Sequence, residues 1–308
     1  MSEPSLCQTR FTYGRAPEPC RARIWPEQCI LTLGMKRILT AVVLIPLVLL
    51  VVFLGPRWLV TLSTAVLAVL AAWEFLSLAE VGGIRPPRFP VLIAIAALFA
   101  GNYQYPDLTA YLLGFLSLAL LVYCAFGSSA ERMLADASVS VFALVYTGFT
   151  LLALPALREQ ANGPSLVAFL FCVVWAGDIA ALLVGRTLGR HKLAPRLSPN
   201  KTWEGAVASA LGSLLVTGGL LWLTGYLAQF NSAKLSFPEQ LWYWLVLAIA
   251  VNIAAQVGDL AESAFKRSVG VKDSGTLLPG HGGILDRIDA LLLAAPVLWY
   301  AEVIHQRF

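Results

Sequence analysis

Apolar residues in this chain come in long, nearly unbroken blocks separated by short polar breaks, with no alternation of the kind that marks a half-buried strand. The blocks run to about 18–22 residues, the length that an α-helix needs to cross a hydrocarbon core. Set against the polar breaks, they predict about nine spans, at roughly 37–55, 58–80, 89–101, 108–126, 138–156, 165–185, 204–227, 240–258 and 290–305. The third is short, because Gly101-Asn102 and Pro106-Asp107 end it early. The expected fold is all-α: a polytopic transmembrane helical protein. It divides into an N-terminal extension (1–34), a set of N-terminal transmembrane helices (35–160), and a C-terminal transmembrane region (161–308) whose two long polar loops hold the candidate chemistry.

Composition sharpens this picture. Of 308 residues, 58% are hydrophobic and 13% charged, against roughly 45–50% and about 25% in soluble domains. Too few charges remain to cover a water-facing surface. A net charge of +4 gives no electrostatic support for a nucleic-acid partner. The placement of charge is more telling. With the N-terminus in the cytoplasm and the spans alternating, fourteen of the Lys and Arg residues beyond position 34 fall on the cytoplasmic side, and only Arg57, Arg158, Lys234 and Arg307 on the other. Both long basic loops, 186–203 and 259–289, then face the cytoplasm. A single compact chain of this kind suits a bacterial inner membrane.

Residues 1–34 differ from the rest, with Arg10, Arg15, Arg21, Arg23 and four prolines but no sustained apolar run. Met35-Lys36-Arg37 then leads straight into the apolar Ile38–Leu54. Two readings stay open: an upstream-start artefact ahead of an initiator at Met35, or a disordered cytoplasmic tail. A cleaved signal peptide is not expected, since no A-x-A-like site follows. The five cysteines show no CxxC spacing and no clustered histidines, which supports neither a zinc site nor a disulfide framework.

The first half of the chain offers one ionisable residue of note within a span, Glu74 in Trp73-Glu74-Phe75. It sits near the cytoplasmic end of its helix, where reaching the interface costs little, and is read as structural. Asp178 lies in the otherwise apolar Phe169–Leu183, one to two turns inside the membrane. A carboxylate there costs on the order of 3 kcal/mol unless it is paired or wetted. It is either paired with a basic residue such as Arg186 or a wall of a water-filled polar cavity, and the second reading is preferred.

The loop GRTLGRHKLAPRLSPNKTWEG (185–205) combines five basic residues with Ser198 and Thr202, a make-up that suits a polyanion. Thr202 also stands where a helix N-cap would fall, and positive-inside topology alone favours a basic loop here. The segment 256–289, QVGDLAESAFKRSVGVKDSGTLLPGHGGILDRID, is richer. Asp259 and Glu262 share one helix face, with Lys266 placed for an i,i+4 surface salt bridge to Glu262. Asp286 and Asp289 open the last span, where the helix dipole favours acids. Between them the glycine run around His281, including Gly282 and Gly283, lets backbone approach a phosphate and exposes N–H donors. Four carboxylates, several cations and a glycine turn thus meet on one membrane face. Carboxylates suit Mg²⁺, which commonly bridges them to substrate phosphates. The combination points to phosphoryl or nucleotidyl transfer at the membrane surface.

Residues 263–289 resemble the signature of the phosphatidate cytidylyltransferase family, S-x-x-K-R, then K-D, then P-G-H-G-G-x-x-D-R-x-D. Gln256–Leu260 resembles the family's Q-x-G-D-L, and Ser198–Gly205 its S-P-x-K-T-x-E-G. The resemblance implies transfer of CMP from CTP to phosphatidic acid, giving CDP-diacylglycerol and pyrophosphate. It further implies Mg²⁺ held by Asp259 and Asp286, a monovalent cation such as K⁺ beside it, and a homodimer. Ser198, Lys201 and Thr202 match the substrate-binding motif, while Lys266, Arg267, Lys272, Asp273, His281 and Arg287 match the long signature. Lys201, Lys266 and Arg267 would screen the two anionic substrates; Asp289, Glu262 and Asp178 would support the metal or the cavity. Two rivals are a polyprenol kinase or phosphoglycosyl transferase, which shares the membrane, the Mg²⁺ and the carboxylates, and a transporter, which would carry intramembrane charge to both faces.

Overall fold

A computed structural model describes residues 50–51, 53–229, 235–237, 240–277 and 282–307. In chain order these form α1 (Arg57–Val81), α2 (Arg88–Gln104), a 3-10 turn (Pro106–Leu108), α3 (Thr109–Gly127) and α4 (Met133–Ala143). A π-helical turn (Leu144–Phe149) leads to α5 (Ala153–Arg158) and α6 (Gly163–Thr187). Strands β1 (Lys192–Ala194) and β2 (Ser198–Thr202) precede α7 (Trp203–Ala228), α8 (Leu241–Ser268) and α9 (Leu285–His305). The all-α membrane architecture is as expected. Among the described residues seven stretches are long and apolar enough to cross a membrane, with Pro106–Gly127 and Met133–Arg158 each counting as one. The first predicted span, 37–55, lies almost wholly outside the described residues.

The short third span is α2, 17 residues long. At about 1.5 Å per residue it reaches roughly 25 Å, less than a hydrocarbon core of about 30 Å. It nonetheless runs from one end of the bundle to the other. Its first residue, Arg88, pairs with Glu80 at the end of α1, and the carbonyl of Tyr103 accepts from Arg57 at the start of α1 (3.0 Å). The same far end gathers the Arg57–Glu159 ion pair (2.6 Å) and the Gln306–Gln160 hydrogen bond (2.9 Å). At the opposite end the amide of Arg85 donates to Asp136 (3.1 Å) and Gly82 packs against Val269.

Two apolar cores divide the bundle. One joins α1, α2, α3 and the π-helical turn; the other joins α5, α6 and α8. Helix α9 belongs to both, giving Leu285, Ile288 and Leu292 to the first and Leu291, Ala294, Ala295 and Leu298 to the second. Lipid tails are as apolar as leucine, so close packing and interhelical hydrogen bonds hold such helices together. Both devices occur here. Asn252 of α8 donates to Ser209 (2.8 Å) and Ser213 (2.9 Å) of α7, and Ser213 donates to the Val173 carbonyl of α6 (2.9 Å). Gly258 lets α8 lie against the backbone of α9: a methyl group there would stand 2.5 Å from the carbonyl oxygen of Asp289.

Gly258→Ala should therefore overpack the α8–α9 seam and cost about 1–3 kcal/mol, seen as a lower thermal midpoint of the detergent-solubilised protein. Gly218→Ala is the control, since a methyl group there meets nothing within 4 Å. Equal midpoints for the two variants would show that the seam is not tight.

Candidate active site

The polar loop 185–205 is built as a β-hairpin. Lys192 pairs with Thr202 and Ala194 with Ser198 in an antiparallel register. The sequence pattern gave no strand here, because S-P-N-K-T has no apolar alternation. Thr202 is buried, and its hydroxyl accepts from the Gly205 amide (3.1 Å), capping α7 as its position suggests. Glu204, in the first turn, accepts from the amide of His191 (3.2 Å), which fastens the hairpin to the helix. Lys201 emerges from this frame and meets Asp259 of α8, with Nζ 2.6 Å from Oδ2. That ion pair joins the two polar segments into one site.

About two turns further along α8, Lys266 lies between Glu262 of its own helix and Asp286 of α9, 2.6 Å from Asp286 Oδ1. The expected surface salt bridge between Glu262 and Lys266 is in fact interior, since the Glu262 side chain is 0% exposed and that of Lys266 12%. Asp286 also accepts from the amides of Ser274 (3.0 Å) and Gly283 (2.8 Å). Gly282 takes φ +79°, a backbone turn suited to glycine. Within the glycine run, the Gly283 N–H is thus committed to Asp286 rather than left open.

Asp178, Asp259 and Asp289 lie close enough to repel one another, and Lys201 acts on Asp178 from the opposite sign. Asp178 is exposed. Among the described residues it has no ion pair with Arg186. Five carboxylates (Asp178, Asp259, Glu262, Asp286 and Asp289) thus share their surroundings with two ammonium groups, Lys201 and Lys266. An excess of hard oxygen ligands and negative charge fits a divalent cation. Among the described residues no three such side chains converge into a cage. An ion held here would take one or two carboxylates and complete its shell elsewhere, as Mg²⁺ usually does.

Other predicted residues surround this centre. Ser198 is half-buried in β2, and Lys272, Asp273 and Arg287 are exposed. Arg267 is exposed and donates to the carbonyls of Leu197 (3.2 Å) and Val271 (2.9 Å), tying the hairpin to the end of α8. His281 lies outside the described residues. The residue that sequence reasoning undervalued is Glu74. It is buried instead of reaching toward the interface, and it accepts hydrogen bonds from Ser274 and from the amide of Leu285.

Fold and site together define a polytopic membrane protein with its ionic chemistry gathered at one end of the helical bundle. The chain belongs to the cytidylyltransferase family, whose model matches residues 35–305. It is similar along most of its length to the phosphatidate cytidylyltransferase of Staphylococcus saprophyticus, at 35% identity over 266 residues, 85% of this chain and 96% of that protein. The phosphatidate cytidylyltransferase of Haemophilus influenzae is 31% identical over 292 residues, 86% of this chain and 97% of the relative. That of Brucella melitensis is 50% identical over 157 residues, 51% of this chain, and the match spans about half (54%) of the relative's length.

The two lysines differ in what they leave behind. Lys266→Met strands the buried Glu262 and Asp286, and breaking a buried pair costs about 3–5 kcal/mol. Lys201→Met leaves Asp259 with a side chain 39% exposed to solvent and should cost about 1 kcal/mol or less. Thermal unfolding in detergent should therefore separate them, with Lys266→Met clearly the less stable; equal stability would mean that water reaches Glu262.

Proposed function

We propose that this protein is a CTP:phosphatidate cytidylyltransferase of bacterial membrane lipid synthesis. The observation that carries the proposal is the Lys201–Asp259 ion pair, which brings the two family-like segments, 198–205 and 256–289, into one site. Full-length similarity to phosphatidate cytidylyltransferases supports the same reading.

In this reaction a phosphate oxygen of phosphatidic acid attacks the α-phosphorus of CTP. The bond from that phosphorus to the bridging oxygen breaks, and pyrophosphate leaves with its electron pair. The attacking phosphate is already ionised near neutral pH, so no strong general base is required. The obstacle is the approach of two polyanions. Lys201, Lys266 and Arg267 offset that repulsion and steady the departing pyrophosphate. Asp259 and Asp286 are the carboxylates that would hold Mg²⁺, with Asp289 and Glu262 beside them. When bound, the ion would neutralise charge on the nucleotide phosphates. A monovalent cation such as K⁺ would find further carboxylate oxygen in the same cluster. Asp178 and Ser198 line the approach, and the exposed Lys272 and Asp273 meet the substrates from the loop, with Arg287 from the first turn of α9.

The positive-inside bias supports a cytoplasmic position for this end of the bundle and for the N-terminus. An inner-membrane location and a homodimer belong to the same proposal. So does the count of about nine spans.

Detergent-solubilised protein given phosphatidic acid, CTP and Mg²⁺ should release pyrophosphate and form CDP-diacylglycerol. EDTA should stop the reaction, and ATP should not replace CTP. Asp259→Ala and Asp286→Ala should each lose several kcal/mol of transition-state stabilisation, about 10²-fold or more in rate. Folded, monodisperse protein that forms no CDP-lipid would sink the proposal and call for a screen of other lipid acceptors.

A further inference from the structure

Glu74 stands in α1, 200 and 211 positions from the two residues it touches. Its side chain is buried, with the residue 2% exposed. One carboxylate oxygen, Oε2, accepts from the Ser274 hydroxyl (3.1 Å) and from the amide of Leu285 (2.8 Å). Leu285 is the first residue of α9, so the carboxylate satisfies an otherwise unpaired helix N–H and lies where the dipole favours negative charge. Gly275 and Gly283 press against the same carboxylate, and side chains there would have no room. The other oxygen, Oε1, is buried without a hydrogen-bond partner among the described residues, and no ion pair reaches Glu74 among them.

The same short segment is held from its other side. Asp286 accepts the backbone amides of Ser274 and Gly283, while Glu74 takes the Ser274 hydroxyl and the amide of Leu285. Two carboxylates, one from each half of the chain, therefore clasp the two ends of the loop between α8 and α9. Removing either would free Ser274 to drift, and with it the oxygens of Asp286 that face Lys266. A burial cost is incurred for a charge in an apolar bundle, and among the described residues the Ser274 hydroxyl and the Leu285 amide are the groups that answer it.

We propose that Glu74 is a positioning residue for cytidylyl transfer: through Ser274 and the first turn of α9 it fixes the place of Asp286 and of the Ser274 and Gly283 amides that Asp286 holds. The proposal rests on the function given above. It predicts that α1 stays docked without Glu74, because Phe75 still packs edge-on against Phe265 and Leu76 remains in the core. The loss is then one of alignment, and a displacement of about 1 Å near reacting groups costs on the order of 10²-fold in rate.

The test compares full-length Glu74→Ala, Glu74→Gln, Ser274→Ala and the Glu74→Ala/Ser274→Ala double variant. Hydrogen exchange over 271–285 is measured without substrates, and kcat and KM for CTP with them. Glu74→Ala should speed exchange in that segment alone and lower kcat about 10²-fold in protein with a near wild-type thermal midpoint. Glu74→Gln keeps an acceptor oxygen and should recover most of the rate. The double variant should be no slower than Glu74→Ala, because both changes break one contact. Unchanged exchange and rate in Glu74→Ala, additive losses in the double variant, or a rate loss that only tracks unfolding would each overturn the proposal. If the wild-type protein transfers no CMP, the functional reading fails, and the exchange measurement alone then decides whether Glu74 clasps the loop.

Discussion

Charge placed at the edge of a hydrocarbon layer must be answered locally, because neither bulk water nor salt is there to screen it. At the active end of this bundle the answer is Lys266. Its ammonium group forms ion pairs with Glu262, which is wholly buried, and with Asp286, which opens the next helix. Asp286 in turn gathers the amides of Ser274 and Gly283. A single cation thus ties α8 to the first turn of α9, beside the amides of Ser274 and Gly283. Lys201 does the same at a wetter position, drawing the hairpin onto Asp259. The ionic pairs are the framework, and the loops are fitted to them.

This framework needs a rigid base, which α9 supplies by belonging to both cores. Its start carries Asp286 and Asp289, so any movement between the two halves of the bundle would be felt at the site. The π-helical turn at Leu144–Phe149 places Tyr146 among Phe75, Phe142 and Phe265, with ring centroids 5.3–5.6 Å away. That aromatic cluster borders Glu262 and Asp289 electrostatically. The N-terminal helices therefore do more than anchor the protein, since they form the wall against which the acidic cluster is built.

Much of this could be read from residues alone. Blocks long enough to span a membrane needed no partner to be recognised, and each described span proved to contain helix. The i,i+3 and i,i+4 spacings of Asp259, Glu262 and Lys266 placed them correctly on one helix. What spacing could not give was depth. The same Glu262–Lys266 pair reads as a surface bridge until Asp286 of the next helix covers it. The hairpin was hidden for a different reason: polar strands held by backbone pairing and a threonine cap leave no hydrophobic period. Glu74 was undervalued because a lone acid near a helix end has a cheap route to water, and its true partners lie 200 and 211 positions away.

The polar residues of the two segments divide by what their hydrogen-bonding atoms already do. Thr202, Ser274 and Gly283 have theirs committed to the cap, to Glu74 and to Asp286. Such groups can shape a phosphate site without touching phosphate. Asp178, Lys272, Asp273 and Arg287 are exposed around the cluster, and Asp259 keeps part of its carboxylate in the open. Groups of this second set keep hydrogen-bonding capacity open to a ligand, as the committed ones do not. The short polar segments therefore carry two kinds of residue, and a loss of activity on mutation does not by itself say which kind was removed. Local order separates them: loss of an architectural group loosens the segment it holds, whereas loss of an open one leaves that segment in place and only the chemistry impaired.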